Sequence, residues 1–370
     1  MSQTLTGRII TGTGAAEFDG TISFDEHILA IEPQASSSKP VERYILPGFI
    51  DCHVHGGGGF DCMDGADAVL GMAAFHRRFG TTTILPTTLT APIDDIEVAF
   101  AGIAAAMNED NSAAGAMILG VHLEGPFINP EALGAQPPFA IAPDLALLQR
   151  WHAAAPIKVA TFAPEIDPDF ALSRFLLDVG GRPQLGHTKA DAATAAAALA
   201  SGYRGFTHLY NQMSGLHHRK PGCVGVALAQ AEFAEIILDG QHVSETAAMA
   251  ALRAIPKLYG VTDAIAATGL KPGTYRLGTL PISSDGTTAR LADGTLAGSV
   301  ATMDQIFRNF VGLGLSIDDA AQRCATMPAD YLGLSDRGQL RPGLRADLVV
   351  LDRDLRPQAT YVGGTPLAVN

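Results

Sequence analysis

Two histidines separated by one residue are the first sign of chemistry in this chain. His53 and His55 follow an apolar run at 44–50, which is typical of a buried strand. Because alternate residues of a strand point to the same face, both imidazoles can reach one point. Neutral imidazole is the commonest metal ligand in proteins, so the pair predicts half of a metal site. Taken alone, the pair is also compatible with an ordinary structural role.

Further metal-type residues each close a predicted strand of their own. Glu124 precedes a glycine and a proline, and His187 and His208 end two later strands. A mixed set of imidazole and carboxylate ligands suits zinc or a similar divalent ion. Such an ion polarises a carbonyl and lowers the pKa of bound water toward about 7. Each residue alone could instead cap a helix, but their joint placement favours a metal site.

Asp263 lies at the end of the last predicted strand, facing the same mouth. A carboxylate in that place can accept a proton from an attacking water and pass it to a leaving amine. Together with the metal-type residues, Asp263 predicts metal-assisted hydrolysis of an amide-like bond.

Other polar segments concern the substrate. A basic segment at 216–222 contains Arg219, whose guanidinium suits bidentate contact with phosphate. The same segment could equally be a solvated loop. Asn211 and Gln212 directly follow His208, and loops containing glycine occur at 239–242 and 296–299. Glycine lets such loops approach a polar ligand closely.

The elements that would position these residues alternate through the middle of the chain, as in parallel α/β proteins. The predicted strands are 49–55, 82–86, 118–124, 158–163, 184–187, 204–208, 235–239 and 258–263. The clearest helix is 191–201, with Asp191 as N-cap and Gly202 just after its end. Eight such units match a (β/α)8, TIM-like barrel, in which functional residues lie at the C-terminal ends of strands.

Short strand-like runs occur at both chain ends. They predict a small β-sandwich domain from residues 1–45 and 336–370, around a catalytic barrel at 46–335. A turn or loop is predicted at 36–40, where serines precede a lysine and a proline.

Composition limits the classes of function. The 370 residues carry a net charge of −13, which argues against nucleic-acid binding and gives no basic patch for a membrane surface. A small anionic substrate is still compatible with this charge, since a few local cations suffice. The four cysteines are scattered, as in a reduced cytosolic protein. With no signal peptide or membrane-spanning run apparent, we expect a cytoplasmic location.

Seven motifs occur in a specific order along the chain. They lie at 122–127, 185–187, 207–211, 218–222, 239–242, 262–264 and 291–299. Together they resemble the N-acetylglucosamine-6-phosphate deacetylases of the amidohydrolase superfamily, and the resemblance covers essentially the whole chain. The Leu-Glu-Gly-Pro and His-Leu-Tyr-Asn motifs are specific, whereas the ending at 343–350 is shared more widely in the superfamily.

The resemblance implies a metal-dependent hydrolase that converts N-acetyl-D-glucosamine 6-phosphate to D-glucosamine 6-phosphate and acetate. Glu124, His187 and His208 would hold the main divalent ion. His53 and His55 would allow a second ion, with Glu124 able to bridge, and the count of one or two stays open because some members lack this pair. Zinc is the expected metal, with iron, cobalt and manganese as alternatives.

The resemblance also implies roles around the ion. Asp263 would be the general base and then the acid. The residues that would bind the sugar phosphate are Asn211, Gln212, Arg219 and His242, with Ala297, Gly298 and Ser299 in a loop over the sugar. Part of the phosphate contact comes from a neighbouring subunit in this family, so a homodimer is implied.

One position departs from the family pattern. The usual Gly-Ala-His, whose histidine helps to polarise the acetyl carbonyl, is here Gly134-Ala135-Gln136. Gln136 can donate an N–H group to a developing oxyanion but cannot carry a positive charge. Charge-assisted donors are the stronger ones, so we expect the rate or the acyl specificity to differ from relatives with histidine.

Other functions remain open from sequence. A related amidohydrolase could act on another N-acyl amine or N-acetyl hexosamine phosphate. Cyclic-amide hydrolases commonly use a carboxylated lysine, but no lysine closes a predicted strand here. A non-catalytic metal-binding protein would be expected to lack the base or the ligands, and neither is missing.

Overall fold

The computed structural model describes residues 2–35, 41–109 and 114–368, so the loop predicted at 36–40 lies outside the described residues. Within those ranges a barrel occupies the middle of the chain. Its eight parallel strands are Phe49–Val54, Thr81–Thr88, Val121–Glu124, Ile157–Phe162, Arg182–Leu185, Gly205–Phe206, Phe233–Ile237 and Lys257–Val261. A short strand, Met117–Ile118, pairs beside the second of them. The predicted barrel is confirmed, and its strands differ from the predicted ranges by only a few residues.

Backbone hydrogen bonds close this barrel. The first six strands form one parallel ladder, and the last two pair with each other. The Leu209 N–H group donates to the Glu235 carbonyl (2.9 Å), which joins the sixth strand to the seventh. The Asp263 N–H group donates to the His53 carbonyl (2.8 Å), which joins the eighth strand to the first. The first and last strand ends are therefore neighbours.

Helices surround the barrel. They are Ala66–Arg77, Ile93–Asn108, Leu145–Ala154, Ala171–Asp178, Ala192–Ser201, Gly222–Gln230, Glu245–Ala254, Met303–Gly312, Ile317–Ala321 and Met327–Leu332. Short helical turns occur at Cys62–Asp64, Pro164–Ile166 and Gln322–Thr326. The alanine-rich helix begins after Asp191, whose carboxylate accepts from the Thr194 N–H group (2.8 Å), and ends at Gly202 with φ of 116°. Both capping residues are as predicted.

Strands from the two chain ends form a second unit, the end sheet. In spatial order it contains Thr365–Ala368, Pro357–Val362, Leu348–Asp352, Arg43–Pro47, Gln3–Ile9, Phe18–Phe24 and Ile28–Pro33. The seven strands form one continuous sheet, which folds over so that the Phe24 and Tyr361 rings meet at 5.2 Å. The two layers expected of a sandwich are therefore halves of one sheet. The domain boundaries at 45/46 and 335/336 stay a prediction.

A small antiparallel sheet, the insert sheet, was not predicted. It consists of Gly273–Leu277, Leu280–Ser284 and Ala289–Arg290 and follows the last barrel strand. A two-stranded hairpin, Gly56–Gly57 with Phe60–Asp61, follows the first. Many insert-sheet residues are exposed and polar, so the sequence shows no clear apolar alternation there. Among the described residues, no helix has the length and apolar character needed to cross a membrane.

The outer helices also support the strand ends. Trp151, on Leu145–Ala154, is almost fully buried, and its ring lies 6.0 Å from Phe100 and 5.8 Å from Phe127. Phe127 follows Glu124 by three residues, so this aromatic cluster packs beneath the segment that leaves the third barrel strand.

We expect Trp151→Ala to destabilise the fold by about 3–5 kcal/mol, because it removes a large buried ring and leaves a cavity. Urea unfolding followed by circular dichroism measures this change. The control is Leu145→Ala on the same helix, where Leu145 is 37% exposed and a change within about 0.5 kcal/mol is expected. Equal effects of the two substitutions would contradict this role of the cluster.

Candidate active site

Six polar side chains converge at the C-terminal end of the barrel. Each comes from the end of a strand or from the one or two residues after it, and each is at most 8% exposed. They are His53, His55, Glu124, His187, His208 and Asp263. These are the predicted metal ligands and the predicted base, and the structure brings all of them together.

The backbone turns sharply where three of these residues leave their strands. His187, His208 and Asp263 have positive φ angles of 46°, 30° and 50°. Non-glycine residues rarely adopt this left-handed conformation, and such strain concentrates at functional sites. The turns aim the three side chains back into the barrel mouth rather than along the strands.

One group of donors surrounds a single point. The Oε1 atom of Glu124 lies 3.2 Å from His187 Nε2 and 3.0 Å from His208 Nε2, and the two Nε2 atoms are 3.1 Å apart. Ligands of one tetrahedral zinc ion, at bonds of about 2.0–2.2 Å, lie roughly 3.3–3.6 Å apart. The three donors are therefore close to the spacing that an ion requires.

A second group shares Glu124. The Oε2 atom of Glu124 is 3.3 Å from His55 Nε2, which is also 3.3 Å from His53 Nε2. The Oδ1 atom of Asp263 lies 3.1 Å from His55 Nε2 and 3.5 Å from His53 Nε2. The Oε2 atom of Glu124 thus faces His55, whereas its Oε1 atom faces His187 and His208 and lies 3.5 Å from His53 Nε2.

Hydrogen bonds behind the imidazoles determine which nitrogen faces the cluster. His55 Nδ1 donates to the Thr87 carbonyl (2.8 Å), and His187 Nδ1 donates to the Ala132 carbonyl (2.7 Å). A carbonyl can only accept, so each Nδ1 carries the hydrogen and each Nε2 points a lone pair inward. Lone pairs and carboxylate oxygens then face one another at contact distance. This donor set fits a bound cation.

The electrostatics of the cluster agree with this fit. Burial lowers the pKa of His55, but Asp263 and Glu124 outweigh burial and raise that pKa to about 9. Burial raises the pKa of Glu124, but its interactions with His53, His187 and His208 outweigh burial and hold that pKa well below the usual value. The carboxylates therefore favour positive charge between them. A divalent ion would supply this charge while the imidazoles remain neutral.

The cluster opens into a cavity of about 240 Å³. Four of the predicted substrate residues line it, namely Asn211, Gln212, His242 and Gly298. His242 Nδ1 lies 2.8 Å from the Asp239 carboxylate, so its Nε2 atom is left for a ligand. Burial lowers the pKa of His242, but Asp239 more than offsets burial and raises that pKa, which favours an anionic ligand.

Three other predicted substrate residues do not line the cavity. Arg219 is exposed, with Nη1 2.7 Å from His218 Nε2, and borders a separate hollow beside Lys189. Ala297 and Ser299 are buried on either side of Gly298. The Ser299 N–H group donates to the Asp263 carbonyl (2.8 Å), so this segment supports the backbone of Asp263.

Comparison with known proteins agrees with the barrel and its site. Residues 44–367 match the Amidohydrolase family. The chain belongs to the amidohydrolase family. It is 40% identical to N-acetylglucosamine-6-phosphate deacetylase of Bacillus subtilis (strain 168), over 94% of this chain and 90% of that protein. It is 36% identical to N-acetylgalactosamine-6-phosphate deacetylase of Escherichia coli O157:H7, over 96% and 97% of the two chains.

Solved structures show the same likeness for this amidohydrolase. A mutant N-acetyl-D-glucosamine-6-phosphate deacetylase from Mycobacterium smegmatis, in complex with N-acetyl-D-glucosamine-6-phosphate, is 33% identical. It superposes with a TM-score of 0.90, over 99% of both chains. The corresponding deacetylase from Thermotoga maritima gives a TM-score of 0.89 at 33% identity, over 98% of this chain and 99% of that one.

Gln136 lines the cavity of this amidohydrolase, and both ends of its amide group already have partners. Its Oε1 atom accepts from the Thr90 N–H group (2.7 Å), which orients the amide, and Nε2 donates to Glu124 Oε2 (2.5 Å). One N–H group is thus directed at a candidate metal ligand, and the second remains for a substrate. The oxyanion role of Gln136 stays a prediction.

Sequence reasoning missed two features of the site. Glu235, in the seventh barrel strand, is fully buried and lies 3.0 Å from His53 Nδ1. A charged residue inside an apolar strand was the available signal, since buried carboxylates require partners. Leu89 and Leu277 form an apolar part of the cavity lining. Leu277 belongs to the insert sheet, so its contribution depends on an element that the sequence did not reveal.

Proposed function

We propose that this amidohydrolase removes the acetyl group of N-acetyl-D-glucosamine 6-phosphate, giving D-glucosamine 6-phosphate and acetate. The observation that carries the proposal is the shared cavity, where the Glu124, His187 and His208 group and Asp263 adjoin polar groups suited to a sugar phosphate. Relatives that carry this activity in their names match nearly the whole chain.

Asp263 is the proposed proton carrier. Burial raises the pKa of Asp263, but its electrostatic interactions with His53 and His55 and a hydrogen bond with His55 outweigh burial and hold that pKa below the usual value, so the reaction starts with a carboxylate. Asp263 accepts a proton from the water whose oxygen attacks the acetyl carbon. It returns that proton to the amide nitrogen as the C–N bond breaks, which gives a neutral amine and acetic acid. The acid then passes its remaining proton to the amine or to solvent, so that acetate is released.

A divalent ion held by Glu124, His187 and His208 would polarise the acetyl carbonyl and lower the pKa of the attacking water. Zinc is proposed because the donors are imidazoles and carboxylates, with iron, cobalt and manganese as alternatives. His53 and His55 would hold a second ion that shares Glu124. The second N–H group of Gln136 is proposed to donate to the carbonyl oxygen as it gains charge.

Recognition of the sugar phosphate is assigned to side-chain donors around the cavity. Asn211 and Gln212 offer amide groups. His242, whose Nδ1 atom faces Asp239, offers an Nε2–H group when its ring is protonated, which its raised pKa favours. Arg219 is exposed outside the cavity of its own subunit, which supports a homodimer in which it contacts the phosphate of a neighbour. A cytoplasmic location is proposed from the four buried, unbridged cysteines.

A second candidate substrate is the galactosamine epimer. The relative from Escherichia coli O157:H7 is named for N-acetylgalactosamine 6-phosphate and matches 96% of this chain. The two sugars differ only in the configuration at C4, so the acetyl group and phosphate can bind in the same way. The proposed chemistry is unchanged by this choice.

We expect the zinc-loaded protein to release amine and acetate from N-acetyl-D-glucosamine 6-phosphate and to leave unphosphorylated N-acetyl-D-glucosamine essentially untouched. The reason is that charge-assisted contacts to phosphate would supply much of the binding energy. The measurement is free amine by fluorescence, with N-acetyl-D-galactosamine 6-phosphate in parallel. Faster turnover of the galactosamine epimer would assign that substrate instead. Equal rates with and without phosphate would rule out the proposed phosphate recognition.

Replacing the base should abolish turnover while sparing the metal. We expect Asp263→Asn to lower kcat by about 10²–10⁴-fold, because an amide cannot carry the proton. Metal content, measured by mass spectrometry of the purified protein, should remain near that of the wild type. Asp354→Asn, at a side chain that is 72% exposed, serves as control and should leave kcat unchanged. Full activity of Asp263→Asn would remove Asp263 from the mechanism.

A further inference from the structure

Glu235 is a fully buried carboxylate directly beneath the candidate metal cluster. It lies in the middle of the strand Phe233–Ile237 and accepts four hydrogen bonds. Its Oε2 atom accepts from His53 Nδ1 (3.0 Å) and from the His208 N–H group (3.2 Å). Its Oε1 atom accepts from Gln184 Nε2 (3.1 Å) and from the Tyr259 hydroxyl (3.4 Å). Donors from four other strands or strand ends therefore fix the carboxylate in place.

The histidines of the cluster differ in what holds them from behind. His55 and His187 donate to backbone carbonyls, whereas His53 donates to the carboxylate of Glu235. His208 Nδ1 has no hydrogen-bond partner among the described residues. A carboxylate behind an imidazole fixes its tautomer and raises its basicity, so it strengthens the opposite nitrogen as a ligand. His53 is thus the histidine best prepared to bind a cation.

A third group of residues has the chemistry of metal ligands and consists of His53, His122 and Glu235. This group is not a further ion site. His122 Nδ1 donates to the Cys52 carbonyl (2.9 Å), and His122 Nε2 lies 2.8 Å from the Thr161 hydroxyl. Both ring nitrogens are therefore occupied. Glu235 acts on the cluster through His53 rather than as a ligand itself.

Charge balance points in the same direction. Three buried carboxylates contact the imidazoles, namely Glu124, Asp263 and Glu235. With neutral histidines, one divalent ion leaves a net negative charge in this buried cluster, which is unfavourable. Two divalent ions leave a small positive charge beside a cavity suited to an anionic substrate. Glu235 supplies the additional negative charge that makes a second ion favourable.

We propose that Glu235 is a positioning residue that, through His53, sets the affinity of a second divalent ion bound by His53, His55 and Glu124. This inference rests on the proposed metal-dependent function. In this proposal Glu235 does not contact the substrate. Glu235 accepts a hydrogen bond from the ring of His53 but only from the backbone N–H group of His208. The proposal therefore assigns its effect to the ion held by His53 and not to the ion held by His208.

The test compares Co²⁺ binding to the metal-free wild type and to Glu235→Gln. Glutamine keeps the shape, and its carbonyl oxygen can still accept from His53 and His208, but the charge is lost. We expect the second ion to bind about 10–100-fold more weakly, with the first ion unchanged. Visible absorption of bound Co²⁺ follows the two binding steps, and metal content per subunit checks the stoichiometry.

Tyr259→Phe is the matched control, since it removes a donor from the same carboxylate at 3.4 Å without changing its charge or its contact with His53. It should bind both ions as the wild type does. If Glu235→Gln does not fold, Glu235→Asp replaces it, and its shorter side chain should weaken the second ion by withdrawing from His53.

Several results would overturn the proposal. The wild-type protein could bind only one ion, or a Glu235 variant could bind both ions as tightly as the wild type. A Glu235 variant could also weaken both ions equally, or Tyr259→Phe could weaken the second ion as much as Glu235→Gln does. Because ion binding is measured without substrate, these results are distinct from failure of the deacetylase assay, which is read on the wild type alone.

Discussion

Electron-rich groups that face one another in a dry interior are the constraint on which the rest of this structure depends. Imidazole nitrogens and carboxylate oxygens approach within 3.0–3.5 Å at Glu124 and its four histidine neighbours. Without a cation between them, lone pairs and negative charges at such distances repel, and burial makes the repulsion stronger. The arrangement is therefore stable with bound positive charge. A cation bound there could also polarise the carbonyl group of a substrate.

The barrel satisfies this constraint by placing ligands from separate strands at one edge. Left-handed turns at His187, His208 and Asp263 direct their side chains inward, and Glu235 holds His53 from below. The end sheet lies outside the barrel, whereas the insert sheet contributes Leu277 to the cavity. Reactive groups are thus fixed by the rigid core. The parts that select the substrate come from loops and additions at the mouth, as is usual for this architecture.

The barrel and the metal-type residues could be predicted from the sequence, because both depend on local patterns. Alternation along a strand put His53 and His55 on one face, and strand ends identified Glu124, His187 and His208. Pairs remote in sequence were not predictable in this way. His53 and Glu235 are 182 positions apart, and Gln136 contacts Thr90 and Glu124 only after the loops have packed. The folding of the end sheet onto itself and the polar insert sheet likewise depend on tertiary contacts.

The most direct test of this account is a crystal structure of the zinc-loaded protein with anomalous diffraction recorded at the zinc absorption edge. The account predicts one anomalous peak bounded by Glu124, His187 and His208, and a second beside His53 and His55 that shares Glu124. Density for an ion elsewhere, with hydrogen-bonded water or empty space among these side chains, would contradict it.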